Sequence, residues 1–506
     1  MPSKSLVAIT LISLVGVVLS GCTLQQAAVA TPASSPTTAP TYAAVPAVTP
    51  TAAAASLPAL TLKPGDYYFS VDGVPSVILS RNITGKTEDD LDTLLEWSHQ
   101  GGTKVIRVHL THGWWGEPWI NRDWTVNEKW ALDWERVFDQ AQADGIYVIP
   151  VFGVWADWND GKPDYGSPFW QYNPLNRMNG GPISSPTELF QSDSAPQKHW
   201  IAWVQTLVKR WQGRKNIAAW EIFSEINIAS GAPGKTDATG GVDEASGIDF
   251  TNKSMGIIHS ADAQHRPVTL SLAGVYSPGD PWEKYYALDS LDFIEIHPYS
   301  DNLDRELIKE VREYEAKYQK PVLIGESGLW SMTHQANASV GIEHAIWAGT
   351  VSGAMNARGL WDHDGYSIYS YDSRADAMKF MEDYATVELP VVRFVRGIDF
   401  TGFLSLRATS TPGIWGATLG NENTVIGWYR DAGSEPPDWD IKPVVSKQSV
   451  TISVPGPASQ WRVDFYDTKT GTDIIGSAEV PAGGHKVTIK LPDFTDDIAF
   501  KMYAVQ

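Results

Sequence analysis

From about residue 65 to residue 390, short runs rich in β-branched residues alternate with longer stretches whose apolar positions recur at i, i+3, i+4 and i+7. Eight such pairs can be counted, with candidate strands near 76–80, 105–109, 147–152, 218–223, 267–272, 293–297, 322–326 and 359–361. Between them, Trp200, Trp203, Val204, Leu207, Val208 and Trp211 share one helical face, as do Trp130, Trp134, Val137, Phe138 and Ala141. Strand and covering helix in repetition are the signature of a parallel sheet. The Trp residues on these stripes are therefore assigned to the core and not to ligand binding.

Beyond about residue 392 the helical period disappears. Segments at 424–429, 449–454, 461–466, 486–491 and 498–503 alternate apolar and polar residues between Gly, Pro and Asp turns, as the strands of an antiparallel sandwich do. This change sets a domain boundary, with one domain at 59–392 and a second at 393–506. The 506 residues suffice for a (β/α)8 TIM barrel of roughly 250 to 330 residues followed by a small antiparallel β-sandwich. That α/β architecture is the expected fold. The stretch 68–77, with Asp72-Gly73 as a hairpin turn, overlaps the first candidate strand, which is the least securely bounded of the eight.

The amino-terminal segment has a different character. Lys4 precedes an apolar run from 6 to 18, which leads into Leu19-Ser20-Gly21-Cys22. About 15 apolar residues are too few for the ~20 that a spanning helix needs, so 1–22 reads as an export signal. It resembles a bacterial lipoprotein signal with its lipobox, which implies lipid attachment at Cys22. This is the sole cysteine, so no disulfide can form within the chain. Residues 23–58 are almost entirely Ala, Thr, Pro, Ser and Val and read as a disordered tether. The expectation is an exported protein, anchored by lipid to the cell membrane on its extracellular or periplasmic face.

A formal net charge of -20 argues against a nucleic-acid partner, which would need clustered Lys and Arg. An uncharged ligand suits this surface better. The 22 Trp residues are a weak hint in the same direction, because indole faces pack well against sugar rings.

Two candidate strands end in a glutamate. One is Trp220-Glu221-Ile222-Phe223-Ser224-Glu225; the other is Pro321-Val322-Leu323-Ile324-Gly325-Glu326-Ser327-Gly328. A barrel presents its active site at the carboxyl ends of its strands, and cleaving a glycosidic bond with retention needs two carboxyl groups about 5 to 5.5 Å apart. These segments resemble the clan A glycoside hydrolases, most closely the family-five type that includes endo-β-1,4-glucanases and mannanases. The resemblance spans roughly residues 65 to 390 and implies Glu225 as general acid/base and Glu326 as nucleophile. It also implies that Arg107, in Val105-Ile106-Arg107-Val108, hydrogen-bonds the nucleophile and keeps it ionised. Tyr299, in His297-Pro298-Tyr299, is implied to contact the nucleophile, and Trp361 to lie beneath the sugar. Ser224 stands where the family usually has an Asn that binds the substrate 2-hydroxyl, which leaves the substrate open. The end of strand three lacks a His often found there, with His109 or His112 as candidates for that space.

Each feature has a plainer alternative. A single buried Glu or Arg107 alone could be a structural ion pair, and His297 reads as a hydrogen-bonding wall residue. His109 and His112 lack a third partner for a metal, so no metal and no cofactor are expected. Asp157, Asp160 and Asp164 match no full calcium loop and read as solvated turn acids. The long segment 153–197 holds Trp155, Trp158, Tyr165, Phe169, Trp170 and Tyr172 and reads as a wall of the substrate cleft; His112 and the two Trp after Gly113 read the same way. The expected function is a retaining hydrolase of β-linked polysaccharide, endo-acting on the β-glucan or β-mannan class, and monomeric. The alternatives are an exo-β-glycosidase of the same clan and a non-catalytic glycan-binding surface lipoprotein.

Overall fold

The computed structural model describes residues 57–83, 88–111, 118–160, 169–230, 244–273, 282–329, 337–358 and 387–505. All lie within one compact unit, Ala54–Gln506. The expectations for Cys22, His112 and Trp361, the segment 23–56 and the strand at 359–361 fall outside the described residues.

The described chain begins with an antiparallel sheet of β1 (Leu60–Thr61), β2 (Ser70–Val71) and β3 (Val74–Pro75). Asp72 and Gly73 both take positive φ, 51° and 83°, as a two-residue hairpin turn requires. Because β3 uses residues 74–75, the first parallel strand starts later than the alternation suggested. It is β4 (Ile78–Ile83), not 76–80.

Eight parallel positions follow, from β4 through β5 (Val105–His109), β6 (Tyr147–Val151), β7 (Trp220–Glu221), β8 (Val268–Thr269) with β9 (Ser271–Ala273), β10 (Ile294–His297), β11 (Val322–Ile324) and β12 (Asn356–Arg358). One sheet runs β12-β4-β5-β6-β7-β8, and a second runs β9-β10-β11. Only Leu270 separates β8 from β9, so these form one split position. Between β11 and β12 the contacts are the Met355 amide to the Val322 carbonyl, 2.8 Å, and the Asn356 side chain to both the amide and carbonyl of Ile324. The parallel sheet therefore curls until its two edges meet.

Covering helices are α1 (Glu88–Gln100), α2 (Glu128–Ala143), α3 (Thr187–Phe190), α4 (Ala195–Trp211), α5 (Glu244–Ala261), α6 (Leu303–Tyr318), α7 (Ala338–Ser352) and α8 (Leu389–Val395). Their starts are written in the sequence. Asn127 caps α2 by accepting from the Lys129 and Trp130 amides, and Ser194 caps α4 by accepting from the Gln197 amide. The predicted stripes are buried, with Trp130, Trp134, Trp200, Trp203 and Trp211 all inaccessible to solvent. The indoles of Trp130 and Trp134 both donate to the Leu110 carbonyl, at 3.0 and 3.1 Å. They thereby satisfy their own polar atoms and fasten α2 to the end of β5.

Inside the curled sheet the two ends differ. Phe69, Ile78, Val105, Tyr147, Ile149, Phe293, Leu323 and Met355 form an apolar plug at the end where the strands begin. Two to four residues further along β5, β7 and β10 the same inward face carries polar groups: Arg107 and His109 on β5, Glu221 on β7, and Glu295 and His297 on β10. The pleat places residues i and i+2 on one face, so an apolar floor and a charged ceiling come from one strand register.

After α8 come β13 (Leu404–Ser405), β14 (Ala408–Ser410), β15 (Ile414–Gly420), β16 (Thr424–Asp431), β17 (Ser449–Ser453), β18 (Gln460–Tyr466), β19 (Ile474–Pro481), β20 (Lys486–Lys490) and β21 (Asp497–Val505). They form two antiparallel sheets, β13-β15-β16-β21-β18-β19 and β14-β17-β20. A shared core that includes Val425, Val450, Ile452, Trp461, Val463, Val487, Ile489 and Phe500 lies between them. Arg430 of β16 donates from Nε to Asp304 of α6 at 2.6 Å, and His344 of α7 pairs with Asp496 at 2.9 Å, so this region is bonded to the helical layer.

Candidate active site

Glu225 follows β7 at the first turn of the connecting segment. Its backbone is left-handed, φ 53° and ψ 48°, which costs a residue with a Cβ roughly 1 kcal/mol or more. The amide of Glu225 donates to Ser271 Oγ at 3.1 Å, which fixes the turn against β9. Glu326 follows β11, where Asn82 Nδ2 donates to the Gly325 carbonyl at 3.1 Å.

Oxygens of the two carboxyl groups and Nδ1 of His297 all lie within 4.8 Å of one another. Tyr299 donates its hydroxyl to Glu326 Oε2 at 2.9 Å, and Arg107 Nη1 donates to Glu326 Oε1 at 2.7 Å. His297 Nδ1 is 2.8 Å from Glu225 Oε1 and 3.6 Å from Glu326 Oε2. Arg107, Glu225, His297, Tyr299 and Glu326, assigned from the sequence, thus meet in one place. Ser224 is buried beside them, and its hydroxyl has no hydrogen-bond partner among the described residues. Trp155 is half-buried, with its amide on the Ser224 carbonyl at 3.1 Å.

Behind this pair lies a set of charges that the motifs did not announce. Arg107 is bidentate to Glu221, Nε to Oε2 at 2.5 Å and Nη2 to Oε1 at 2.7 Å, while Glu295 Oε1 lies 2.8 Å from the same Nε. His109 Nε2 is 3.0 Å from Arg107 Nη1 and 3.7 Å from Glu326 Oε1, so His109, like His297, lies beside the nucleophile position. The signal was present in Ile294-Glu295-Ile296-His297: a Glu on the same strand face as a site His has to find a partner inside the sheet.

Four buried carboxyl groups around one guanidinium cannot all be ionised at ordinary pH. Burial pushes Glu225 well above the usual carboxylate range, and the charge of Glu326 pushes it further. Glu295 is held well above that range by burial and then by Glu221. Glu221 is raised as well, by burial, against the opposing pull of Arg107. For Arg107 burial acts to lower the pKa, but the surrounding Glu221, Glu295 and Glu326 hold it well above its ordinary value.

Glu225, His297 and Glu326 are close enough to share a cation. Both Glu326 oxygens already accept from Arg107 and Tyr299, however, and a guanidinium beside them opposes a second positive charge. The donor set fits proton transfer and attack better than metal ligation. One expectation is corrected: Asp157 is not a solvated turn acid but is buried, accepting from Thr111 Oγ1 at 2.7 Å.

No family model matches the chain, and no curated protein matches it in sequence. Among solved structures, one described as a glycoside hydrolase superposes with a TM-score of 0.55 at 12% identity, over 88% of this chain and 97% of that one. An endo-β-1,4-mannanase from Thermotoga petrophila reaches 0.43 at 14% identity, over 74% and 94%. A GH30 endoxylanase from Clostridium papyrosolvens reaches 0.44 at 12% identity, over 85% and 97%. At such identities the likeness is one of fold. The mixed α/β architecture with its curled parallel sheet is thus the fold of a solved glycoside hydrolase.

Proposed function

We propose that the chain is a retaining glycoside hydrolase of β-linked polysaccharide, with Glu225 as general acid/base and Glu326 as nucleophile. The observation that carries this reading is the approach of the two carboxyl groups, oxygen to oxygen within 4.8 Å, at the ends of the fourth and seventh parallel positions. Retaining enzymes hold their carboxyl groups about 5 to 5.5 Å apart, whereas inverting ones leave roughly 6.5 to 9.5 Å for a water.

In the first step Glu326 attacks the anomeric carbon while Glu225 passes its proton to the departing oxygen. Arg107 and Tyr299 hold the two nucleophile oxygens and so limit their motion across the gap. Once the glycosyl ester forms, the negative charge on Glu326 is gone, and one cause of the raised proton affinity of Glu225 goes with it. Glu225 then takes a proton from water, whose oxygen attacks the anomeric carbon and releases Glu326.

The same reading takes 59–392 as a (β/α)8 barrel and 393–506 as a β-sandwich domain. It makes the enzyme endo-acting on a β-glucan or β-mannan, monomeric and free of cofactors. Residues 1–22 direct export, and lipid at Cys22 anchors the chain through the tether 23–58. Metabolic labelling with a radioactive fatty acid tests the anchor: label that persists in Cys22→Ser refutes it.

The function is tested on a panel of plant and microbial β-glycans, with proton NMR of the first reducing ends released. Retention predicts the β anomer first, and initial release of the α anomer excludes the double displacement. Glu326→Ala should leave below about 1% of the turnover on any accepted glycan, because the covalent step is lost, with circular dichroism unchanged. Substantial residual turnover removes Glu326 from the nucleophile role.

A further inference from the structure

A cavity of about 960 Å³ is lined by Thr111, Asp157, Phe169, Tyr172, Arg122 and Asp123 among others. Thr111 stands two residues beyond His109, about 6 to 7 Å of extended chain, and His109 lies 3.7 Å from Glu326. The Thr111 side of the cavity therefore lies at the same strand end that carries the carboxylate pair. Its volume is near the top of the ~300 to 1,000 Å³ range that takes whole small ligands, which is more than one sugar ring fills.

The wall that carries the aromatic residues is stiff, for a reason visible in its sequence. Asn173, Asn176 and Asn179 recur every third residue, and each ties its side chain to the backbone. Their Nδ2 atoms donate to the carbonyls of Asp157 at 2.9 Å, Trp170 at 2.9 Å and Gln171 at 2.8 Å respectively. The Oδ1 atoms of Asn173 and Asn176 accept the amides of Leu175 and Met178, 2.9 Å each. Beneath them Trp170 stacks on Trp158, 5.5 Å between centroids. A loop clamped in this way loses little freedom when a ligand arrives.

On this stiff wall Tyr172 is 71% exposed, with its ring 6.1 Å from that of Phe169. Arg122 spends one N–H on the Asn179 carbonyl at 2.7 Å, and Asp123 accepts from the amide and hydroxyl of Thr125 through Oδ1 alone. Both head groups are thus held in place with donors and an acceptor to spare. Flat aromatic faces beside fixed hydrogen-bonding groups match a sugar ring, which is apolar on its faces and hydroxylated at its edge.

We infer that this cavity is a second glycan-binding site, in which Tyr172 and Phe169 stack sugar rings and Arg122 and Asp123 hold their hydroxyls. It takes more than one unit of a neutral chain whose next unit enters the gap between Glu225 and Glu326. Asp123 and the buried Asp157 set it against uronate-bearing chains. The inference rests on the glycosidase reading for its position on the substrate.

The test uses the full chain with cello- and manno-oligosaccharides of two to six units, beside an aryl β-glycoside too short to reach the cavity. In the wild type kcat/KM should climb with length in at least one series. Tyr172→Ala should remove about tenfold from the longest member and less than about twofold from the aryl glycoside, as loss of one stacking contact would. Equal losses on both substrates, or none on the long one, overturn the proposal. Equilibrium binding of the same oligosaccharides to Glu326→Ala reads the site without turnover. Affinity that rises with length and is flattened by Tyr172→Ala sustains the site even if the catalytic reading fails; length-independent affinity in both series overturns it.

Discussion

The carboxyl group of Glu295 occupies the space that a side chain at Gly325 would need: a Cβ there would overlap Glu295 Oε1, Cγ and Cδ. Glu295 Oε1 is 2.8 Å from Arg107 Nε, and the Gly325 amide bonds the Ile296 carbonyl at 3.0 Å. Neither side of the contact has room to yield. Gly325→Ala must drive Glu295 from Arg107 or shift the peptide that leads into Glu326. We expect a destabilisation of about 1 to 3 kcal/mol, as for an overpacked core, and a fall in kcat of roughly a hundredfold from the displaced nucleophile. Urea unfolding and initial rates measure the two effects. Adding Glu295→Ala to Gly325→Ala should recover much of the stability, and a double variant no more stable than Gly325→Ala would refute the steric explanation.

The raised pKa of Glu225 has consequences of definite sign for activity and stability. As general acid it must carry its proton, so the alkaline limb of kcat/KM should fall above the ordinary carboxylate range. For stability, the folded pKa lies above the unfolded value, caused first by burial and then by Glu326. The contribution to stability is therefore full below the unfolded pKa of about 4.3 and is lost as pH rises through the folded one. Glu225→Gln cannot ionise. It should match the wild type in thermal unfolding near pH 4 and exceed it near pH 8, and a gap that does not change with pH would contradict the assignment.

Much of this arrangement was legible in the sequence. β-Branched runs and helical Trp stripes each have a local cause. Arg107, Glu225, His297, Tyr299 and Glu326 could be picked out because each lies within or just beyond a strand in a recognisable motif. Glu221 and Glu295 were not, because their meaning depends on which strands become neighbours: Glu295 gains its role only when β10 brings it beside Arg107 of β5. Asp157 was misjudged for the same reason, since its partner Thr111 is 46 residues away. The first strand was misplaced because the hairpin before it consumes residues that alternate equally well.

The link between the carboxyl-terminal sheets and the helical layer can be tested at Arg430. Its Nε donates to Asp304 of α6 at 2.6 Å, and its Nη1 donates to the carbonyls of Asp431 and Ser434 at 2.8 Å each. Both side chains are almost wholly buried, 1% and 7% exposed, so solvent screens the pair little. Arg430→Met keeps most of the aliphatic volume but leaves the Asp304 carboxylate without its ionic partner, which typically costs about 3 to 5 kcal/mol. Replacing Asp304 by Leu in the same chain removes the stranded charge, and the double variant should regain most of that loss in urea unfolding. If the double variant is as weak as Arg430→Met, the bonds from Arg430 to the Asp431 and Ser434 carbonyls, both within the carboxyl-terminal region, are what Arg430 secures, and the join to α6 rests on other contacts such as Arg305 with Glu435.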